Sequence, residues 1–284
     1  MGVQENGKEL VASLAVQFFR RDNMIKDLTQ RLRKFKNVEV LINNDGSTGY
    51  SKWMQYSDDR YHIIHSPDIH EIRAYNRLAH YAKGKYMVFL QDDNKPNSQK
   101  WLTDLYKAFD SFPKLAMVGG YRGRMDVGKR LDKDTGQNDG KIYGYRRLPI
   151  KFRDPRTKVP MMFMYKVNAG PLTARRDVFL ELGGFNRNIS CPGQPGIGFD
   201  FEYSIRLWYK GYQVALAKSD LVRTSKKKDK GGTRANPKVW KLRRRTEISN
   251  NQYLYKMYKG FHHKKGTQRA IDALSQLEKK WKHA

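Results

Sequence analysis

Short apolar runs alternate with segments of helical periodicity along the first hundred residues. The runs have the length of buried strands and lie at 10–19, 38–42, 61–64 and 86–90. After the first run, apolar residues between 24 and 32 recur at helical spacing, and Asp22 is placed to cap that helix. A second helical pattern covers 72–82. Strands that alternate with helices predict an α/β fold with a mostly parallel sheet sandwiched by helices.

The rest of the chain continues this pattern with one long interruption. Strands are predicted at 115–118, 161–167 and 212–217, and helices at 98–111, 178–182, 200–210 and 267–281. Residues 122–160 are polar and poorly periodic, so we interpret them as an irregular functional insertion. Residues 43–47 carry a strong turn signal, and residues 223–245 form a basic arm rich in Lys and Arg.

The composition fits a folded chain with an ordinary core. Its 284 residues are 39% hydrophobic, enough for one large domain or two small ones. Cys191 is the only cysteine, so no disulfide can form within the chain, and a reducing, cytoplasmic location is expected. No apolar run approaches the ~20 residues of a membrane-spanning helix, and residues 1–10 lack the layout of a signal peptide.

The charge is unusual. Lys and Arg total 56 against 28 for Asp and Glu, which gives a formal net charge of +28. Such an excess favours a polyanionic partner: a nucleic acid, an anionic membrane surface or a phosphate-bearing substrate. The composition alone leaves all three open.

An adjacent pair of acids, Asp92 and Asp93, directly follows the strand predicted at 86–90. Neighbouring carboxylates repel each other unless water or a cation neutralises them. A hard divalent ion takes one or two carboxylates and leaves positions for phosphate oxygens. The alternative for an isolated pair is a solvated acidic turn.

Other polar residues lie at neighbouring strand ends or on one helix face. Asp45 lies in the turn after the strand predicted at 38–42, where it either binds a ligand or forms an Asx turn. Arg73 and Asn76 are three residues apart on one helical face, so they either contact phosphate and ribose or face solvent.

Asp200 opens the helix predicted at 200–210, after a Gly- and Pro-rich segment. A carboxylate at a helix start is favoured by capping alone. Its functional interpretation is a general base that takes the proton of an acceptor hydroxyl, a role typically worth about 10²- to 10⁴-fold in rate.

Taken in order, these motifs resemble the family 2-like glycosyltransferases of the GT-A fold. The matching segments are Asn-Asp-Gly-Ser at 44–47, Arg-x-x-Asn at 73–76, the run ending in Gln-Asp-Asp at 82–93, Leu-Gly-Gly-Phe at 182–185 and Gly-Phe-Asp-Phe-Glu-Tyr-Ser-Ile-Arg at 198–206. The resemblance implies a GT-A domain over 1–222 and a basic C-terminal extension over 223–284. Its nucleotide-binding half would cover about 10–120 and its acceptor and catalytic half about 121–222.

The resemblance also implies a role for each motif residue. Asp45 would recognise the nucleotide base, with Phe18, Phe19 and Arg20 beside it, and Arg73 and Asn76 would help hold the nucleotide. Asp93, with Asp92 beside it, would hold Mn²⁺ or Mg²⁺ across the diphosphate of a nucleotide-sugar donor, a UDP-sugar being favoured. Asp200 would be the base of an inverting transfer to a glycan, glycoprotein or lipid-linked acceptor.

The chain departs from the family pattern in three ways. Gln91 replaces the first acid of the metal motif, and Phe199 stands where the family often has Glu. Arg223 and Thr224 follow the last strand, where such enzymes often carry a metal-binding His. Either another ligand replaces that His, with His262 or His263 as candidates, or the cation is held loosely. An inactive GT-A-like binding protein is the alternative if several ligands are lost.

The basic arm at 223–245 has three interpretations: a lid over the donor diphosphate, a patch for an anionic membrane or acceptor, or solvated surface. Nucleic-acid binding is the competing class of function. The sequence shows no zinc-finger spacing, RNA-recognition signature or helix-turn-helix pattern, so a nucleic-acid partner is not expected.

Overall fold

The computed structural model describes residues 4–5, 8–19, 21–46, 52–126, 141–144, 152–153, 160–191, 193–223 and 237–282. The chain forms two compact units that interleave along the sequence. The first contains residues 1–99, 170–197 and 220–243, and the second contains residues 100–169, 198–219 and 244–284. The predicted division of the chain into 1–222 and 223–284 stays a prediction.

Strands and helices alternate through most of the described chain. The strands are β1 Gln4–Glu5, β2 Lys8–Glu9, β3 Ala12–Phe18, β4 Val38–Asp45, β5 Tyr61–Ser66, β6 Tyr86–Gln91, β7 Asn94–Pro96, β8 Leu115–Gly119, β9 Arg122–Met125, β10 Lys141–Gly144, β11 Phe152–Arg153, β12 Pro160–Phe163, β13 Lys166–Val167, β14 Leu172–Arg175, β15 Gln213–Ala217 and β16 Leu221–Arg223. The helices are α1 Asp22–Leu32, α2 His70–Tyr81, α3 Lys100–Ser111, α4 Arg176–Glu181, α5 Phe199–Tyr209, α6 Pro237–Met257 and α7 Lys264–Lys282, with short 3₁₀ turns at Lys52–Tyr56 and Arg187–Ile189.

The first unit is built on a sheet with strand order β14-β6-β3-β4-β5. The pairs β6–β3, β3–β4 and β4–β5 are parallel, and β14 runs antiparallel to β6. The central strands are nearly continuous apolar runs because both of their faces are buried, and α2 packs on β3 and β4. The predicted α/β fold with a mostly parallel sheet is confirmed.

Two local predictions in this unit are wrong. Strand β4 does not end at 42: Asn43, Asn44 and Asp45 continue it and are fully buried, and Ser66 on β5 accepts from the Asn43 amide and donates to Asp45. Gly46, with a φ of 72°, follows the strand instead. Asp22 does not cap α1 but is its first residue, where a carboxylate still favours the helix start.

The sequence did not predict β14, and it predicted one strand over 161–167 where the structure has two. Met161 to Phe163 pair with β15, whereas Lys166 and Val167 pair with β9 in another sheet. The insertion at 122–160 contains β9, Asp126, β10, β11 and the first residue of β12, and residues 127–140, 145–151 and 154–159 lie outside the described part of the chain. Residues 224–236 of the basic arm also lie outside it, and the predicted arm's last residues belong to α6, which begins at Pro237, a favoured first helical residue.

The second unit contains a sheet with order β11-β12-β15-β8, in which β8 and β15 are parallel, and a three-stranded sheet with order β10-β9-β13. Helix α5 packs on β13 and β15, and Trp208 donates from its indole nitrogen to the carbonyl of Met164 at 2.9 Å. This packing fixes the position of α5. Within the described residues, no helix has both the length and the apolar character needed to cross a membrane.

Candidate functional site

The Asp92–Asp93 turn joins β6 to β7 at the carboxyl end of a central parallel strand. Asn94, which is fully buried, fixes the turn: its Oδ1 accepts from the backbone N–H of Gln91 at 2.9 Å, and its Nδ2 donates to Asp93 Oδ1 at 3.3 Å. The backbone that carries the Asp92 and Asp93 side chains is therefore held in place. Ligands of open α/β sheets bind at this end of the strands.

Asp92 forms an ion pair with Arg21, the residue immediately before α1. Arg21 Nε donates to Asp92 Oδ2 at 2.9 Å, and Arg21 Nη2 donates to Oδ1. The Asp92 side chain is only 5% exposed and that of Arg21 is 24% exposed. A two-point contact of this kind is the strong form of an arginine–carboxylate pair. Sequence reasoning missed Arg21, whose one signal is its place at the end of the first strand.

Asp93 is 8% exposed and its carboxylate accepts from the neutral amide of Asn94. Carboxylate oxygens are hard donors of the kind that Mn²⁺ and Mg²⁺ prefer, and Mg²⁺ sites commonly use one or two carboxylates together with substrate phosphates. The turn therefore fits a divalent cation held mainly through Asp93. Its role as a ligand, and that of Asp92, stays a prediction.

Strand β16 runs antiparallel to β7, and the register places the backbone of Arg223 opposite Asn94. The resemblance leads us to expect a metal-binding His at this point of the chain. The backbone of Arg223 thus pairs with the strand that follows the metal motif, and an arginine occupies this position.

Asp45 lies fully buried at the end of β4, and its carboxylate accepts four hydrogen bonds. Oδ1 accepts from Ser66 Oγ at 2.8 Å and from the backbone N–H of Ile69 at 2.7 Å. Oδ2 accepts from Gln17 Nε2 at 3.0 Å and from the backbone N–H of His70 at 2.8 Å. Asp45 therefore stabilises the start of α2, although it is distant in sequence. Recognition of a nucleotide base by Asp45 stays a prediction.

The residues predicted beside Asp45 have different environments. Phe18 is fully buried and packs edge-on against Trp53 at 5.5 Å between ring centroids. Phe19 is partly exposed and its ring is nearly parallel to that of His70, with centroids 6.5 Å apart. Arg20 lies outside the described residues. Burial lowers the pKa of His70, but the hydrogen bond to Glu71 and nearby acids more than offset it, so that the pKa lies above its ordinary value.

Arg73 and Asn76 both reach the chain segment that follows β14. Arg73 donates to the carbonyl of Ser190 at 3.0 Å. The amide of Asn76 donates to the carbonyl of Phe185 at 2.7 Å and accepts from its N–H at 2.8 Å. A Cβ on Gly184, whose φ is 70°, would lie 2.5 Å from Asn76 Oδ1. The Arg-x-x-Asn and Gly-Gly-Phe motifs thus meet in one contact, and the predicted contact of Asn76 with a nucleotide stays untested.

Asp200 belongs to the second unit and lies in the first turn of α5. Its Oδ2 accepts from the backbone N–H of Ala169 at 2.7 Å and its Oδ1 from that of Phe201 at 2.9 Å. It is 8% exposed, and Gly198 before it has a φ of 90°. The helix start and the two N–H donors favour a carboxylate held in one orientation. Asp200 as a general base stays a prediction.

Glu202, the other acid of this turn, has a structural environment. It is fully buried, pairs with Arg206 at 2.8 Å and accepts from the Tyr258 hydroxyl at 2.6 Å. Burial raises the pKa of Glu202, and the contacts with Arg206 and Tyr258 only partly oppose this effect. These contacts tie α5 to the end of α6.

The second unit also buries a polar network that sequence reasoning did not predict, although it singled out the His262–His263 pair. Asp126 pairs with Lys166 at 2.5 Å and with His263 Nδ1 at 2.8 Å. His262 Nδ1 lies 2.7 Å from the Tyr165 hydroxyl and accepts from the backbone N–H of His263 at 3.0 Å. Burial, with Lys166 adding to it, lowers the pKa of His262 to about 2.

Asp126, His262 and His263 are close enough together to hold a metal ion. Two contacts oppose that role. The Lys166 ammonium already neutralises Asp126, and it overcomes the effect of burial so that the pKa of Asp126 lies well below its usual range. His262 Nδ1 accepts a backbone N–H, which leaves its proton on Nε2. That His262 or His263 is the third ligand of the metal at the nucleotide-sugar donor stays a prediction.

The comparisons with known proteins agree with this architecture. The mannosyltransferase PcManGT from Pyrobaculum calidifontis, solved with GDP-Man and Mn²⁺, superposes with a TM-score of 0.51 at 12% identity, over 93% of this chain and 74% of that one. GalNAc-T7, solved with UDP, GalNAc and Mn²⁺, superposes with a TM-score of 0.55 at 16% identity, over 73% of this chain and 42% of that one. The alignment thus covers under half of GalNAc-T7. At such identities the likeness shows the fold alone.

The sequence itself carries the family assignment. A search of curated proteins finds no match. The profile of glycosyl transferase family 2, however, matches residues 13–169, more than half of the chain and the part that contains the Asp92–Asp93 turn. With the fold of the two solved glycosyltransferases, this match confirms the predicted family: the chain belongs to glycosyl transferase family 2.

Proposed function

We propose that this protein transfers a sugar from a nucleotide-diphosphate sugar to an acceptor hydroxyl. One observation carries the proposal: a family 2 chain places the buried, rigidly held Asp93 at the carboxyl end of central strand β6. The net charge of +28 favours an anionic donor.

Asp93 is the residue that would hold Mn²⁺ or Mg²⁺ at the donor diphosphate, with Asp92 beside it. When bound, the cation supplies Lewis acidity that stabilises the departing nucleoside diphosphate. The Mn²⁺ present in both solved glycosyltransferases supports a divalent ion. The structure's own contribution is the Asn94 contact, which presets the carboxylate so that little ordering is left for binding.

The nucleotide would lie at the ends of β3 and β4. Phe19 and His70 offer partly exposed aromatic faces on which a base can stack, beside the carboxylate of Asp45. Arg73 and Asn76 complete the predicted set. We favour a UDP-sugar, a choice that rests on the family resemblance; PcManGT was solved with GDP-Man and GalNAc-T7 with UDP.

Asp200 would take the proton from the acceptor hydroxyl, giving inversion at the anomeric carbon. Two backbone N–H groups hold its carboxylate in one orientation, as a base that must meet its proton requires. The acceptor would be a glycan, a glycoprotein or a lipid-linked sugar. Contact of the basic arm with an anionic membrane remains part of the proposal.

The test is hydrolysis and transfer across a panel of nucleotide sugars with Mn²⁺. We expect turnover with at least one donor, and losses of about 100-fold or more in Asp93→Asn and Asp200→Asn. Only Asp93→Asn should lose most metal-dependent donor binding. Asp272→Asn is the matched control, because Asp272 is an exposed carboxylate on α7. Equal turnover by all four proteins would overturn the proposal.

A further inference from the structure

The ion pair between Arg21 and Asp92 places a permanent cation on one acid of the proposed metal motif. The two residues are 71 positions apart, and the guanidinium meets both carboxylate oxygens. The family resemblance gives no role to Arg21, and a solvated turn would not need it. The pair therefore requires an explanation of its own.

Burial makes this pair more than a surface contact. With only 5% of its side chain exposed, Asp92 has little water to replace the guanidinium if Arg21 is removed. A buried carboxylate that loses its partner is strongly destabilised unless another cation takes the partner's place. The neighbouring Asp93 has a different contact, since its carboxylate accepts from the neutral Asn94 amide.

The Arg21 guanidinium weakens Asp92 as a ligand for a divalent ion. Its two charge-assisted hydrogen bonds occupy one lone pair on each carboxylate oxygen, and its positive charge repels a cation that approaches the remaining ones. Affinity for a hard cation rises with the number of charged ligands in its site. A pair of this kind therefore lowers the tendency of Asp92 to act as a second ligand.

We infer that Arg21 is a positioning residue that keeps Asp92 from acting as a ligand of the cation. The Asp93 carboxylate is then the one carboxylate of this turn that holds the ion. This inference rests on the proposed function, because it takes the Asp92–Asp93 turn as the donor-cation site. It predicts a weaker and more exchangeable cation than two carboxylates would give, with the donor diphosphate supplying much of the coordination.

The test is a double-mutant cycle read by Mn²⁺ titration, with free Mn²⁺ followed by electron paramagnetic resonance and no nucleotide present. The proteins are wild type, Arg21→Gln, Asp92→Asn and the double variant. With Asp92 present, Arg21→Gln should tighten Mn²⁺ binding by about tenfold, because a second carboxylate becomes available. In the Asp92→Asn background, the same change should tighten binding by under about threefold, the effect of removing one positive charge.

Arg21→Lys is the conservative variant. It keeps the charge but loses the two-point contact, so it should give an Mn²⁺ affinity between those of wild type and Arg21→Gln. Thermal melting establishes that each variant is folded, and Arg21→Lys carries the test if Arg21→Gln does not fold.

Three outcomes would overturn the inference: equal gains with and without the Asp92→Asn substitution, no gain in either background, or weaker Mn²⁺ binding in Arg21→Gln. Donor turnover by wild type is measured separately and decides the proposed function. A protein that turns over nucleotide sugars but shows equal gains keeps the function and loses the role of Arg21. A protein without turnover, in which the gain in Mn²⁺ affinity depends on Asp92, keeps the role of Arg21 and loses the proposed function.

Discussion

Two buried acidic regions of the molecule, one in each unit, are stabilised in different ways. In the second unit, the described contacts of Asp126 are with two cationic side chains, Lys166 and Arg124, and with the imidazole of His263. In the first unit, Arg21 pairs with Asp92, while the carboxylate of Asp93 accepts from a neutral amide. The contacts of Asp126 complete a structural network, whereas Asp93 is the carboxylate proposed to hold a ligand.

The largest expected effect is on the cationic side of the Asp126 network. Lys166→Met should lower the free energy of unfolding by about 3–5 kcal/mol, because it leaves the buried Asp126 without its closest cation. Chemical denaturation measures this change. Lys241→Met, at an exposed position of α6, is the control and should change stability by under about 0.5 kcal/mol. A loss as small as the control's would show that the network does not depend on Lys166.

The next prediction compares an Asp→Asn substitution in each of the two regions. Asp93→Asn should weaken Mn²⁺-dependent UDP binding by about 100-fold with little change in stability, since only the first region is proposed to hold a ligand. Asp126→Asn should leave UDP binding unchanged and lower the melting temperature. Calorimetric titration measures the UDP affinity of each variant, and thermal melting measures its melting temperature. Loss of UDP binding in Asp126→Asn would remove the distinction between the two regions.

A smaller effect concerns the pH dependence of the Asp126 network. Because the pKa of His262 is lowered to about 2, the unfolded chain takes up a proton near the ordinary pKa of 6.5 while the folded chain does not. Stability from this group is therefore fully present above pH 6.5 and falls as the pH drops below it, by at most ~1.4 kcal/mol per unit. Denaturant unfolding between pH 7 and 4 should show this slope, and His262→Gln should reduce it. An unchanged slope would contradict the burial of a neutral His262.

The elements that the sequence predicted best are those with a simple pattern. The apolar runs of β3, β4 and β6 correspond to strands buried on both faces. Helix α1 covers Asp22–Leu32, close to the segment 24–32 in which apolar residues recur at helical spacing. Strand β14 escaped prediction because its four residues are too few to show a period, and its pairing with β6 is a tertiary property. The turn predicted at 43–47 was wrong over 43–45, because pairing with buried partners on β5 overrides local turn propensity there.

The candidate site was predictable only where its residues follow one another in sequence. Asp92 and Asp93 stand directly after a strand, so their position could be read from the sequence. The cationic partner of Asp92 could not, because Arg21 lies 71 residues from it in sequence. In the second unit, 40 residues separate Asp126 from Lys166 and 137 separate it from His263. No spacing rule links residues that only the folded chain brings together.

The smallest expected effect tests whether the cations around Asp126 are graded by burial. Arg124 lies 2.9 Å from Asp126 Oδ1 but is 20% exposed, whereas Lys166 is 6% exposed. Water can replace part of the Arg124 contact, while Lys166 still neutralises the carboxylate and His263 keeps its hydrogen bond to it. Arg124→Gln should therefore lower the free energy of unfolding by about 1 kcal/mol or less, against about 3–5 kcal/mol for Lys166→Met. Denaturant unfolding of the two variants gives the ratio, and equal losses would mean that the number of cations, rather than their burial, stabilises Asp126.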